Sequence, residues 1–310
     1  MASVRVRLAA VSVDLDEIPC YHAIHGLPAP QGSGSSVVYD VALGRALDWA
    51  RSQGLPLTLF AVGADMARGE SAARLREAAD AGHEIGNHTL EHRYDLVRLD
   101  AGEMRRQVFA GADVLAGATG QRPVGFRAPG YTVTDALLDV VAESGATYDA
   151  SVFPCPSYLA AKGAALGAIA ARGRASRSIL GDPRVALAPT TPYRLGRPFF
   201  RPGDGLREIP IQVTSIARLP IIGTSLVLAP APVASVLVRG ALGEPTFNLE
   251  LHGIDFVDQT DGLAELARHQ PDLRVPWEAK IARLDAAVDA VRAEGFAFVT
   301  METLAVRALS

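Results

Sequence analysis

Cysteine is nearly absent from this chain: Cys20 and Cys155 are the only two in 310 residues. That is too few for a disulfide framework, and their spacing matches neither a zinc knuckle nor a redox pair. Long apolar runs are missing too. No segment approaches the roughly 18 uninterrupted apolar residues of a membrane span. The run Leu8 to Val13, which follows Arg5 and Arg7, is too short for the core of a secretory signal. A large charge of either sign is also lacking, and a net charge of −4 argues against a general nucleic-acid binder. These absences lead to the expectation of a cytoplasmic protein in a reducing compartment. Apolar residues, at 49% against 21% charged, supply ample material for a large core.

Short apolar runs alternate with helical patterns. Leu8 to Val13 and Leu57 to Val62 read as strands, with helices around Val38 to Arg51 and Ser71 to Ala81 after them. The alternation continues with strands at His83 to Gly86 and Val124 to Phe126, a helix from about Gly102 to Ala116, and another opening at Thr134, a good N-cap. Trp277, Ile281, Leu284, Val288 and Val291 mark an amphipathic helix, followed by a strand at Phe296 to Val299 and a short helix to Leu309. Such βαβ units predict a single α/β domain over 1–310 built as a parallel sheet or barrel. The interval 155–207 breaks the pattern and reads as an insertion. It holds nine basic residues (Lys162, Arg172, Arg174, Arg177, Arg184, Arg194, Arg197, Arg201 and Arg207) against two acidic ones (Asp182 and Asp204). That asymmetry suits an anionic ligand, although a solvated loop with partners elsewhere would look the same.

Chemistry concentrates at predicted strand ends. Asp14 and Asp16 follow the first strand, His88 and His92 lie four apart after the third, Arg127 follows Val124 to Phe126, and His252 ends Phe247 to Leu251. In a parallel α/β barrel the C-terminal strand ends share one mouth, so these residues belong to one site. Two imidazoles and a carboxylate make a catalytic metal site with a position left open, and the second aspartate remains as a base. Arg127 as a simple ion-pair partner and His252 as a satisfied core histidine are the plainer readings of those two positions.

The segments resemble the polysaccharide deacetylase family of metal-dependent carbohydrate esterases. The resemblance is carried by Ser12-Val13-Asp14-Leu15-Asp16, His88-Thr89-Leu90-Glu91-His92, Phe126-Arg127-Ala128-Pro129-Gly130-Tyr131 and Leu249-Glu250-Leu251-His252. It implies a distorted (β/α)7-type barrel with an insertion. It further implies that Asp16, His88 and His92 bind a divalent metal, most simply Zn2+, with Co2+, Ni2+ or Fe2+ also compatible. By the same resemblance Asp14 is the general base, Arg127 fixes Asp14, and His252 is the general acid. A backbone N–H at Gly130 or Tyr131 would serve the oxyanion, with Thr89 and Asp149 in support. The motif departs from the commonest form in having Leu15 between the two aspartates, as in the branch with cyclic-amide hydrolases, deformylases and exopolysaccharide deacetylases.

The expected reaction is hydrolysis of a non-peptide amide, above all N-deacetylation of an acylated amino sugar or its lipid-linked or nucleotide-linked precursor. A deformylase or a cyclic-imide or ureide hydrolase could use the same site, and a non-catalytic carbohydrate-binding barrel is the alternative of another class. The expected partner is that small-molecule or lipid-linked substrate, not nucleic acid. A transient contact with the inner leaflet of a membrane and a homo-oligomer are both compatible. An arginine-rich surface beside the apolar lip Ile216 to Gly223 and Leu226 to Pro230 would suit a sugar phosphate on a polyprenyl tail.

Overall fold

Seven of the eight residues of strand β1 (Arg7–Asp14) are buried, as expected for a strand covered on both faces of a parallel sheet. It lies within a computed structural model that describes residues 6–30 and 32–309; Arg5, weighed above, lies outside them. The remaining strands are β2 (Leu57–Ala61), β3 (Glu84–Asn87), β4 (Gly125–Phe126), β5 (Tyr148–Asp149), β6 (Tyr193–Leu195), β7 (Pro202–Glu208), β8 (Thr246–His252) and β9 (Phe296–Phe298). Their order is β6-β7-β5-β4-β3-β2-β1-β8, with β9 pairing β1 below β2. All pairings are parallel except the β6–β7 ribbon. The result is the expected α/β architecture, a curled sheet that forms a distorted barrel.

The curl does not close by a ladder between β7 and β8. Asn248 of β8 spans the gap instead: its Nδ2 donates to Pro210 O at 3.1 Å and its backbone N–H to Gln212 Oε1 at 3.0 Å. Side-chain amides thus satisfy backbone groups that a regular strand pair would otherwise pair. The bottom of the barrel is plugged by the helix Met301–Ala308. Its N-terminal amide at Glu302 donates to Glu84 Oε2 at 2.9 Å, a carboxylate placed at the positive end of a helix. Met301, Leu304 and Ala305 then pack with Leu8, Ala10, Phe60 and Tyr148 in the interior. The main apolar core lies outside the sheet, where helices Leu43–Gln53, Gly69–Asp80 and Trp277–Ala293 cover it; Trp49 is buried there as core.

Within 155–207 the structure shows a helix, Pro156–Ala171, followed by the β6–β7 ribbon, and β7 adjoins β5 in the sheet. The arginine surplus is partly matched: Arg184 pairs with Asp182 and Arg197 with Asp139 of another segment. Among the described residues no helix is long and apolar enough to cross a membrane.

Candidate metal centre and its surroundings

Register brings the functional residues to one rim. Asp14 at the end of β1 sits opposite His252 on β8 and Phe60 on β2, and Asn87 of β3 sits opposite Phe126 of β4. His88 and Arg127 are each one residue beyond their strands, so four strand ends bring these side chains to one rim, where Asp14, Asp16, His88 and His252 line the cleft.

The loop carrying the two histidines is held tightly. Asn87 Oδ1 accepts from Thr89 N at 3.0 Å, Thr89 Oγ1 accepts from His92 N at 3.1 Å, and Leu90 N donates to Gln107 O at 2.8 Å. Thr89 thus supports the turn between the histidines. Its φ of 72° and the 49° of His92 lie in the left-handed region that disfavours side chains, above all β-branched ones. Surrounding hydrogen bonds maintain this local strain, as is common at functional sites. The loop lies so close to the helix Ala101–Thr119 that a Cβ on Gly111 would stand 2.8 Å from Asn87 Oδ1 and from the backbone of Thr89.

Asp16, His88 and His92 each offer a ligand atom, and these atoms lie within 4.8 Å of one another. Both Nε2 atoms are 3.1 Å from Asp16 Oδ1. Asp16 Oδ1 and both ring nitrogens of His92 are nonetheless buried without an aligned hydrogen bond. Asp16 Oδ1 and His92 Nε2 thus meet at one point with neither satisfied by an aligned hydrogen bond, an arrangement that suits a cation between them. His88 Nδ1 is 2.7 Å from Arg127 O, which fixes the tautomer that leaves Nε2 free as a ligand. Burial opposes charge on His92, yet Asp16 lifts its imidazole to about 10, the same attraction that a metal ion would answer in place of a proton. The donor set therefore fits a divalent metal ion.

Beside this pocket lies a second group of acids and bases, Asp14, Glu250 and His252. Asp14 Oδ1 accepts from Arg127 Nη1 at 2.6 Å, while its Oδ2 stands 3.9 Å from His88 Nε2 and borders the metal pocket. Arg127 is 0% exposed and bonded through all three nitrogens: besides the Asp14 bond, Nε donates to Ala150 O at 2.9 Å and Nη2 to Ser12 Oγ at 3.0 Å, and the guanidinium lies 4.2 Å over the Phe60 ring. Burial pushes the Asp14 carboxyl above its ordinary range against the pull of Arg127, the direction a proton acceptor near neutrality needs.

Glu250 is the residue that the sequence reading missed. It lies two positions before His252 on β8 and so on the same face. Its Oε1 is 2.9 Å from His252 Nδ1 and accepts from the Tyr131 hydroxyl at 3.0 Å. Burial alone would lower the His252 imidazole, but Glu250 overrides it and holds the ring well above its usual value. Glu250 thus favours the protonated ring, whose Nε2 lies 3.3 Å from the Tyr131 hydroxyl.

The expected use of the Tyr131 amide as an oxyanion donor is corrected here: Tyr131 N is committed to Ala128 O at 3.0 Å by the short turn Pro129–Tyr131. The hydroxyl, not the amide, is what Tyr131 brings to the site. Gly130, with φ 61°, lines the cleft, and its carbonyl accepts from Lys162 Nζ at 2.9 Å. Asp149 takes a structural part. It accepts from Ser151 Oγ at 2.7 Å, and Ser151 Oγ in turn accepts from Ala128 N at 2.8 Å, which anchors the Arg127–Gly130 turn. Asp149 faces Glu208 on β7, and burial raises both carboxyls, which favours a proton held by the pair. His22, inside the helix Ile18–Ile24, has Nδ1 2.6 Å from Pro28 O, and His25 at the end of that helix has Nε2 2.9 Å from Gln270 Oε1.

A cavity of about 640 Å³ opens over Asp14, Asp16, His88 and His252. A larger cleft, about 780 Å³, lies behind His92 between Cys20 and Arg177, but it touches neither Asp14 nor His252 and is not the reaction chamber.

Fold and side chains together define a class: an α/β barrel that presents a two-histidine, one-carboxylate pocket flanked by a base and an acid. The sequence model of the polysaccharide deacetylase family matches residues 39–148, about a third of the chain. No curated sequence matches. Among solved structures, the chain is similar to a Mycobacterium smegmatis protein assigned as a polysaccharide deacetylase, at 19% identity and TM-score 0.53, covering 97% of this chain and 96% of that one. It is also similar to a peptidoglycan N-acetylglucosamine deacetylase, Bc1960, at 14% identity and TM-score 0.50, with 99% and 91% coverage. A Bacillus anthracis pseudoenzyme of carbohydrate esterase family CE4 matches at 12% identity and TM-score 0.50, covering 97% of this chain and 66% of that one. At these identities the structural likeness speaks to the fold.

Proposed function

We propose that the chain is a metal-dependent hydrolase of a non-peptide amide, acting as an N-deacetylase on an acylated amino sugar or its lipid-linked or nucleotide-linked precursor. The observation that carries this reading is the pairing of Asp14 with Arg127 on one side of the donor pocket and of His252 with Glu250 on the other. A binding module has no need of both a proton acceptor and a proton donor.

In this reading Asp16, His88 and His92 hold the ion, which, when bound, lowers the pKa of water and polarises a carbonyl. The chain's own groups do the rest. Arg127 fills Asp14 Oδ1, so Oδ2 is the oxygen that accepts a proton from the attacking water. Glu250 fills His252 Nδ1, so Nε2 is the nitrogen that donates to the departing amine. The Tyr131 hydroxyl lies next to that transfer and orients both partners. Zinc is the ion the ligand set favours.

The Asp14-Leu15-Asp16 spacing keeps a second reading alive, a cyclic-imide or ureide hydrolase. A panel of N-acetylated amino sugars against hydantoin-like rings separates the two. The test of the main reading is amine release from N-acetylglucosamine derivatives that is abolished by a chelator and restored by Zn2+. Failure to release amine or open a ring under any metal would place the chain with the pseudoenzyme neighbour.

A further inference from the structure

The helix Pro156–Ala171 departs from what an exposed helix should be. Surface helices carry a polar face. This one is apolar all round, with Lys162 its only charged residue, yet Ile169 is its only buried residue. Lys162 does not supply a polar face either, because its Nζ points to Gly130 O. Tyr158, Ala161 and Ala165 of the helix line the cavity over Asp14 and His252, as do Pro220, Ile222 and Leu228 from a second segment.

Bulky apolar side chains gather near these segments. Ile216 is 98% exposed, Leu187 70%, Leu180 46%, Leu228 43% and Leu219 40%; among the described residues no other leucine or isoleucine is exposed to this degree. They belong to one rim. Leu180 packs near Gly163 of the helix, Arg218 donates to the carbonyls of Ala186 and Ala188 on either side of Leu187, and Leu228 lines the cavity itself. Arg172, Arg174 and Arg177 lie in the short segment between the helix and Leu180, with Arg177 bordering the cleft behind His92; none forms an ion pair among the described residues, and Asp95 and Asp182 are occupied by Arg93 and Arg184. An exposed apolar ring with adjacent unpaired arginines complements a surface with a hydrocarbon interior and negative headgroups.

We propose that this rim docks the protein on an anionic lipid surface, so that the cleft opens toward the bilayer and receives a substrate carried on a hydrocarbon chain. Ile216, Leu187 and Leu180 enter the headgroup boundary, and Arg172, Arg174 and Arg177 meet lipid phosphate. The apolar cavity walls continue the path inward to Asp14 and His252. Docking stands independently of catalysis, whereas the identity of the delivered substrate rests on the hydrolase reading above.

The test is flotation of the full chain with phosphatidylglycerol–phosphatidylcholine vesicles, with phosphatidylcholine vesicles and without lipid, before and after chelator treatment. Wild-type protein is expected to float with anionic vesicles and to do so less at high salt. The double variant Ile216→Asp, Leu187→Asp should lose about tenfold or more in partition, and the triple variant Arg172→Ser, Arg174→Ser, Arg177→Ser should lose its preference for anionic lipid. Circular dichroism and metal content, unchanged in both, show that the fold is intact. No flotation of wild type at low salt overturns the proposal, as does equal flotation of the variants. A concentration-dependent dimer that Ile216→Asp dissociates, without vesicle binding, also overturns it and assigns the rim to a second copy of the chain. Hydrolysis of soluble amides without flotation leaves the hydrolase standing and removes the docking; flotation without chelator-sensitive turnover does the reverse.

Discussion

At the floor of the cleft Arg127 has hydrogen bonds to Ala150, Asp14 and Ser12, His252 is matched by Glu250, and the histidine loop is clamped by Asn87, Thr89 and Gln107. At the rim Ile216 and Leu187 stand in solvent, and the helix Pro156–Ala171 has no polar face. On the two proposals above, the difference gives the two regions separate tasks. Groups that move protons must be held within tenths of an ångström by partners on every side. Groups that meet a variable, fluid or bulky ligand need only to be apolar, accessible and cheap to dehydrate. Substitutions at the floor should therefore alter turnover, and substitutions at the rim should alter only what is delivered.

The largest effect is expected from the floor. His88→Ala should abolish both metal retention and amine release, whereas Asp14→Asn should keep the metal and lose roughly 100-fold to 10,000-fold in kcat, the usual worth of a positioned proton acceptor. Steady-state kinetics beside metal analysis of each variant checks this split.

Glu250→Gln comes next. Without the carboxylate the raised pKa of His252 falls toward its ordinary value. The protonated acid then disappears at lower pH, so the alkaline limb of kcat/KM must move down the pH scale. A loss of about tenfold to 100-fold near neutrality accompanies it. A profile whose alkaline limb stays in place would remove Glu250 from the account.

Smaller effects concern stability. Glu208 and Asp149 are both raised by burial, so the folded chain keeps a proton that the unfolded chain gives up above the ordinary carboxylate range. The pair's contribution is therefore present at low pH and declines as pH rises toward the folded values. Glu208→Gln keeps the shape without the proton, and thermal unfolding should show it equal to wild type in acid and equal or more stable in mildly alkaline buffer. Ile216→Asp, by contrast, should shift unfolding by less than about 0.5 kcal/mol, because an exposed tip has little packing to lose.

The floor was largely legible in the sequence because its chemistry falls at strand ends, and strands here are short apolar runs with clear borders. Asp14, Asp16, His88 and His252 line one cavity, with His92 and Arg127 in contact with Asp16 and Asp14 behind it. Glu250 escaped notice although strand alternation places it on the face of His252; a glutamate inside an apolar strand is itself the signal. The committed amide of Tyr131 could not be read, since a turn's internal hydrogen bonds depend on backbone angles such as the 58° φ at that residue. The rim was the obscure part. Periodicity detects a helix by its polar face, and Pro156–Ala171 has none, so the helix was hidden inside an interval that looked irregular. Its arginine surplus was visible, but which arginines were already paired, as Arg184 and Arg197 are, depended on Asp182 and on the distant Asp139.

The most direct test of the central claim is metal stoichiometry of the purified chain after Zn2+ reconstitution and removal of excess ion. About one equivalent should be retained by wild type and by Asp14→Asn, and almost none by Asp16→Ala or His92→Ala, given three protein ligands to one ion. Wild type that retains no metal, or four proteins that retain the same amount, would contradict the account.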